Sequence, residues 1–493
     1  MIGFYLIIIS LGIVMILGGM TKYAYRSGDR LRLSILSVTS IHMVLLVVFP
    51  VWHAVFFGFI YEEAMLWSVT SQDLLIVMIG EGIFVSMFAL GLNMKIRIPF
   101  ETKERTNQRG KTDHFFLVFL IVMGIAIYMS QLIGAPKTIG EIVVDSTSEY
   151  ANSLIKTLIA WDRGVFWLSS IVAASMVIVG VNRRRQQKME ESYVNLGSRA
   201  KWRKVTWVVA LILLLLVFLC GMATGTRGRI VWVLIFVMLM GIMNNRRKAI
   251  YASLVIVFLV APLSTFLSGD FRSIYFDRQG RGRNLDLVAE TMTYMRSKDT
   301  YESSQKSFWG NFAKRAQGPR NSVVLYRLFD SGQSAGIKAI EGAVVLPIPR
   351  MIWPEKRPAG SFNLSKYGCA MYLVRGIGYG APIYNMGPYL ASAHAYWEGG
   401  WLWVVVAGFL TGIFWNYLIK WGNSAGVLGI IVTFTFSGAL LIDGLPTMLT
   451  PLYAILSFFW SAILPMTLVY NLFSVLVRYS PIFRPVVKME NGV

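Results

Sequence analysis

"GFYLIIISLGIVMILGGM", residues 3–20, decides the class of this chain. No residue in it is charged, and it is about as long as an α-helix must be to cross the hydrocarbon core of a bilayer. It lacks the basic leader and small-residue cleavage site of a removable signal peptide, so it reads as a retained helix. Runs of the same kind recur, among them "FFLVFLIVMGIAIYMSQLI" (115–133) and "TWVVALILLLLVFLCGMA" (206–223). Backbone polar groups find no water in lipid and must bond within the segment, so such runs are helices.

Carried along all 493 residues, this pattern gives eleven spans near 3–20, 34–58, 74–93, 115–133, 164–182, 206–223, 230–244, 250–268, 401–419, 425–442 and 453–477. The expected fold is an all-α polytopic integral membrane protein of about eleven transmembrane helices. Residues 1–268 form an N-terminal bundle of about eight. Residues 269–400 form a large outer loop region with amphipathic helices, and residues 401–493 hold about three helices and a tail. The composition agrees, with 55 % hydrophobic residues and a mean hydropathy of +0.56.

Sidedness follows from Lys and Arg in the short links. Basic links lie at 21–32, "KIRIPFETKERTNQRGK" (95–111), 183–204, "NRRK" (245–248) and after Arg478. The links between them, such as "YEEAMLWSVTSQD" (61–73), carry almost no positive charge. This alternation puts the N-terminus and the 269–400 region outside and the C-terminus in the cytoplasm. Most of the net charge of +21 is therefore the ordinary topology signal, and basic links divided among short membrane loops do not suit a nucleic acid. The outer region is different. Between 269 and 400 there are seventeen Lys and Arg against ten Asp and Glu, an excess that topology does not explain and that suits an anionic ligand.

Cys220 and Cys369 form no metal spacing, and His42, His53, His114 and His394 are too scattered to be a ligand set. No cofactor or metal is expected.

Within the outer region, "NLDLVAETMTYMRSK" (284–298) and "NSVVLYRLFDSG" (321–332) have apolar residues at helical spacing and can lie along a membrane surface. Arg320 and Arg327, seven apart, can point the same way, either to a ligand or to solvent. The segment "PIPRMIWPEKRP" (347–358) sets Arg350, Lys356, Arg357 and Trp353 among four prolines. Proline fixes φ and removes a donor, so these cations sit on a rigid turn. Pre-set guanidinium geometry suits a pyrophosphate, and equally a turn that meets lipid headgroups. "TGTRGR" (224–229) puts Arg227 and Arg229 at the outer mouth of the bundle, where the following helix N-terminus also favours anions. In "LASAHAYWEGGWLW" (390–403), His394 and Glu398 are four apart and stack on one helical face as two candidate general bases, or as satisfied polar groups. Glu81 in "IVMIGEGIF" is a carboxylate inside the third span, facing a polar cavity, an arginine or, in a transporter, a proton.

Three of these stretches carry a resemblance. "IPRMIWPEKRP" resembles the PR-x-x-W-P-x-K-P motif of bacterial oligosaccharide repeat-unit polymerases of the O-antigen and enterobacterial common antigen type. "ASAHAYWEGGWLW" is similar to that family's acidic, aromatic, glycine-ended lead into a helix, and "TRGR" to its arginine-glycine helix start. The resemblance covers mainly 221–245 and 320–415. It departs at "EKRP", where the family has DKP, and at His394, which takes a usual glutamate position while Glu398 replaces a neutral residue.

The resemblance implies a glycosyltransferase C-like fold in the bacterial inner membrane, with the active site facing the periplasm. It implies transfer of a glycan from undecaprenyl pyrophosphate to another lipid-linked repeat unit, with a chain-length regulator and a flippase as further partners. Arg350 and Arg227 would hold the pyrophosphate, and Glu398 or His394 would take the acceptor's proton. Arg229, Arg320, Arg327, Lys356 and Arg357 would be further phosphate contacts, and Trp353 a sugar or interface contact. An O-antigen ligase, which delivers to lipid A core, shares the donor. A flippase or transporter would instead show repeated halves, broken helices and mid-membrane charge. This sequence reads as mostly plain helices with its polar residues gathered outside.

Overall fold

The computed structural model describes residues 1–57, 69–96, 318–332, 389–424, 427–442, 448–459 and 463–479, with scattered positions between. Every regular element among the described residues is helical. Apart from scattered positions, the predicted spans at 115–133, 164–182, 206–223, 230–244 and 250–268 lie outside them. So do the helix expected at 284–298, the link 224–229 and the proline-rich segment 347–358.

Four helices are long and apolar enough to cross a membrane: Ile2–Ser27, Arg30–Phe56, Ser71–Leu92 and Ala391–Ser424. They coincide with the predicted spans 3–20, 34–58, 74–93 and 401–419, so the chain is a helical membrane protein.

Helix α1 (Ile2–Ser27) buries one stripe, Leu6, Ser10, Ile13, Leu17, Met20 and Ala24. Phe4, Tyr5, Ile8, Leu11 and Met15 stay exposed on other faces, as expected for a surface that meets lipid rather than water. Gly28 ends it in the left-handed region (φ 73°), returning its N–H to the Tyr25 carbonyl. Asp29 then caps α2 (Arg30–Met43) by accepting the Arg32 N–H at 3.1 Å, so two residues turn the chain through a helical hairpin.

A π-helical turn, Val44–Val48, joins α2 to α3 (Phe49–Phe57). Its cause is Pro50, which donates no hydrogen bond and whose ring would strike the Leu46 carbonyl in a straight helix. The wider turn, in which the Phe49 N–H reaches the Val44 carbonyl, absorbs that conflict without breaking the span.

Helix α4 (Ser71–Leu92) starts with a capping box. The Thr70 side chain accepts the Asp73 N–H at 3.2 Å, and Asp73 accepts the Thr70 N–H at 2.8 Å. Helix α5 (Gly318–Asp330) sets Pro319 in its first turn, where the missing N–H costs nothing. Far from lying loosely on a surface, α5 buries Ser322, Val323, Leu325, Tyr326 and Leu328 against the rest of the bundle.

Helix α6 (Ala391–Ser424) is the axis of the described bundle. It packs along α4 where both chains are smallest. Gly408 approaches the backbone at Phe84, Gly412 approaches Phe88 and Leu92, and Gly91 lies against Phe409 and Gly412. Gly408 and Gly412 form a small-xxx-small pair, the pattern that lets helices approach closely in lipid, where the hydrophobic effect does not drive their association. Past the C-terminal end of α4, Asn416 donates to the Met94 carbonyl at 2.6 Å and Lys420 to the Ile96 carbonyl at 2.8 Å. A lysine at these last carbonyls also complements the α4 dipole.

Helix α7 (Val427–Ile442) sets Phe436 against Trp415 of α6, ring centroids 5.2 Å apart. The predicted span 453–477 is two helices in its described parts, α8 (Leu452–Phe458) and α9 (Leu464–Tyr479). Tyr470 and Phe473 of α9 receive the ring of Phe116 at 5.3 and 6.4 Å.

Candidate functional site at the break in helix six

Helix α6 is not continuous. Gly399 (φ −160°, ψ 25°) and Gly400 (φ 67°, ψ −159°) leave helical geometry, and the second of these pairs is open essentially to glycine alone. The residues on either side form a short arm, 391–398, and a long one, 401–424.

The path of the short arm follows from the register of α4 and α6. Gly80 lies by Trp401, Phe84 by Gly408, Gly91 by Gly412 and Met94 by Asn416, so the two helices run parallel. In that register an unbroken helix would carry Ser392 to the level of Ser71. Instead the Ser392 hydroxyl donates to Glu81 Oε2 at 2.6 Å. That point is about 15 Å further along α4, at 1.5 Å per residue. The short arm thus folds back into the bundle and ends its N-terminus on a carboxylate halfway along a membrane span. The sequence predicts mostly plain helices with polar residues gathered outside; here a helix is broken and its polar N-terminus meets the acid inside a span.

Glu81 is fully buried, and Ser392 presents its N–H as well as its hydroxyl. An anion at a helix N-terminus is favourable, because the first N–H groups lack partners there. The other oxygen, Oε1, has no hydrogen-bond partner among the described residues, and no described cation pairs with this carboxylate.

Tyr326 of α5 closes the site from above. Its hydroxyl sits so close over Gly80 that a methyl there would collide with it, and it lies beside Ser392 outside hydrogen-bonding geometry. Burial pushes this phenol above the ordinary tyrosine range, which keeps it a donor. Its ring stacks on Tyr396 of the short arm at 4.2 Å and 19°. Tyr396 in turn meets Trp401 at 5.0 Å and Phe329 at 4.8 Å, and donates its hydroxyl to exposed Asp330 at 2.8 Å.

The predicted residues divide as follows. His394 and Glu398 share the short arm and both are buried. His394 faces the Tyr389 ring edge-on at 5.6 Å. Glu398 accepts the Trp403 indole N–H at 2.7 Å through Oε2, while Oε1 has no hydrogen-bond partner among the described residues. Arg327 donates to Asp73 Oδ2 at 2.8 Å, tying α5 to the capping box of α4. Arg320 is half-buried on α5. Arg227, Arg229, Arg350, Trp353, Lys356 and Arg357 lie outside the described residues.

Sequence reasoning did not find Ser392, Tyr326, Tyr396, Asp330 or Trp403. Glu81, a lone acid in an apolar run, and the His394–Glu398 pair were the signals that pointed to the site. No three His, Cys, Asp or Glu side chains gather among the described residues. No family model, curated protein or solved structure matches this chain.

Proposed function

We propose that the chain is a membrane glycosyltransferase of the polysaccharide polymerase type. It transfers a growing glycan from undecaprenyl pyrophosphate to another lipid-linked repeat unit at the periplasmic face of the bacterial inner membrane. The observation that carries the reading is Glu398: a buried carboxylate, oriented through one oxygen by Trp403, in the helix arm that follows the cationic outer region.

In the proposed step, Glu398 takes the proton of the acceptor hydroxyl as that oxygen attacks the donor's anomeric carbon. The bond from that carbon to the pyrophosphate oxygen breaks, and undecaprenyl pyrophosphate departs with the electron pair. Arg350 and Arg227 stabilise the charge that builds on it, with Arg229, Arg320, Lys356 and Arg357 holding phosphate oxygens and Trp353 a sugar face. His394 supports the arm beside Tyr389. Arg327 holds α5 through Asp73.

One observation favours a second reading, transport of a lipid-linked oligosaccharide. The α6 break beside a buried acid halfway along α4 is how transporters build midplane sites. The two readings separate in proteoliposomes given lipid-linked repeat units. Released undecaprenyl pyrophosphate, lost in Glu398→Gln and unaffected by chelator, supports the transferase. Movement of intact lipid-linked glycan between leaflets without release supports the transporter. Release only when lipid A core is supplied would make it a ligase.

A further inference from the structure

The proposed reaction uses Glu398 and leaves Glu81 without a part. A carboxylate inside a membrane helix is costly and is retained where it pairs, conducts or switches. Glu81 meets no described cation, and what it touches is the N-terminus of the arm that carries His394 and Glu398. Gly399–Gly400 breaks the helix between that arm and the rest of α6, and the arm's N-terminal end is held at two points, where Ser322 accepts the Leu390 N–H at 2.8 Å and where Ser392 meets Glu81. Hydroxyl groups lead from the surface toward this point. Exposed Asp330 accepts from Tyr396, Tyr396 stacks on Tyr326, and the Tyr326 hydroxyl lies beside Ser392, which donates to Glu81.

We propose that Glu81 binds and releases a proton, and that its ionised form pins the 391–398 arm by its N-terminus. Ionised, the carboxylate accepts from Ser392 and completes the helix end. Protonated, it loses the attraction to the helix N-terminus and must spend its own O–H on an acceptor, so the arm swings at the glycine hinge. The proton moves between water and a Glu81 oxygen, and no other bond changes. Among the described residues, the titratable groups that face Glu81 are Tyr326 and, through it, Tyr396 and Asp330. Tyr326 stays neutral, and Asp330 is at the surface. Pinning is complete where Glu81 is ionised and is lost as pH falls through its titration.

Amide exchange on the full-length protein in detergent or nanodiscs tests this without any substrate. In alkaline buffer, where Glu81 is ionised, the 391–398 amides should exchange about tenfold faster in Glu81→Gln than in wild type, the size of effect that a charge at a helix end supplies. On acidification the wild type should approach the variant, while amides near Gly412 stay unchanged in both. Infrared difference spectra should show, within the protonated-carboxyl region that grows in acid, one component that is missing in Glu81→Gln. Should Glu81→Gln fail to fold, Ser392→Ala removes one contact and should loosen the arm in the same pH-dependent sense. Equal arm exchange in wild type and variants at every pH, or an infrared band unaltered by Glu81→Gln, would overturn the proposal. Transfer activity does not enter, so this result stands apart from the fate of the proposed function.

Discussion

At the scale of the residue, Glu398 and His394 separate by their surroundings. Both are buried in the same arm, but Glu398 has one oxygen fixed by Trp403 and the other with no hydrogen-bond partner among the described residues. Losing a general base typically lowers the chemical rate by about 10²–10⁴-fold. On the proposed mechanism, Glu398→Gln should lower kcat by that order with little change in KM, whereas His394→Gln should keep kcat within about tenfold. Trp403→Phe, which removes only the N–H, should fall between them, because it frees the carboxylate's orientation without removing it. Steady-state transfer kinetics check all three. The ion pair between Arg327 and Asp73 is partly exposed, at 27 % and 21 %, so its stabilising share is about 0.2–1 kcal/mol. If Arg327 serves mainly to hold α5, Arg327→Ala should lower the unfolding midpoint less than Asp73→Ala, which also removes the α4 cap, and the double variant should match Asp73→Ala. A much larger activity loss in Arg327→Ala alone would return Arg327 to the phosphate.

Part of the site was legible residue by residue. A lone acid in an apolar run and an acid four residues from a histidine stand out in any reading. Tyr326, Ser392 and Tyr396 do not, because each is ordinary until packing joins Ser392 to Glu81 and stacks Tyr326 on Tyr396. Their roles rest on pairings such as Glu81 with Ser392, between residues in distant parts of the sequence.

At the scale of the element, glycine decides where helices touch and where they break. Adding a methyl at Gly412 would strike the Phe88 carbonyl and the Leu92 N–H, so α4 and α6 would have to move apart. Overpacking of this kind costs about 1–3 kcal/mol. Gly412→Ala should lower the unfolding temperature in detergent, whereas Gly12→Ala, with nothing within 4 Å, should leave it equal or higher. At Gly400 the φ of 67° strains any L side chain, and an added Cβ would also meet the Phe329 ring at 3.0 Å. Gly400→Ala should cost about 1–3 kcal/mol and displace the short arm, with transfer falling more than stability. Hydropathy located the helices because lipid leaves the backbone no alternative. It did not reveal the break, since a Gly–Gly pair in an apolar stretch is equally compatible with close packing.

At the scale of the whole molecule, the described contacts agree with the charge pattern of the links. Residues 93–96, 416–423 and 29–32 gather at one end, where Arg32 donates to Asn93 at 2.6 Å and Asn423 to Asp29 at 3.2 Å. Thr70, Asp73 and Arg327 gather at the other. On the proposed topology, the positive-inside pattern puts the first end on the cytoplasmic side. Single cysteines at Gly28 and at Thr70, in a background lacking Cys220 and Cys369, should react with a membrane-impermeant thiol reagent in intact cells only at position 70. Four spans could be read from sequence and were found in place, because each is long, apolar and flanked by links of clear charge. The fold-back of the short arm could not, because it depends on tertiary register.

The central claim is polymerisation at the outer face. The most direct measurement gives purified protein in liposomes the lipid-linked repeat units, with no lipid A acceptor, and resolves the products on a gel. The account predicts a ladder of longer lipid-linked glycans from wild type, absent from folded Glu398→Gln and Arg350→Ala. Folded wild type that makes no ladder, or a ladder that both variants make equally well, would contradict it.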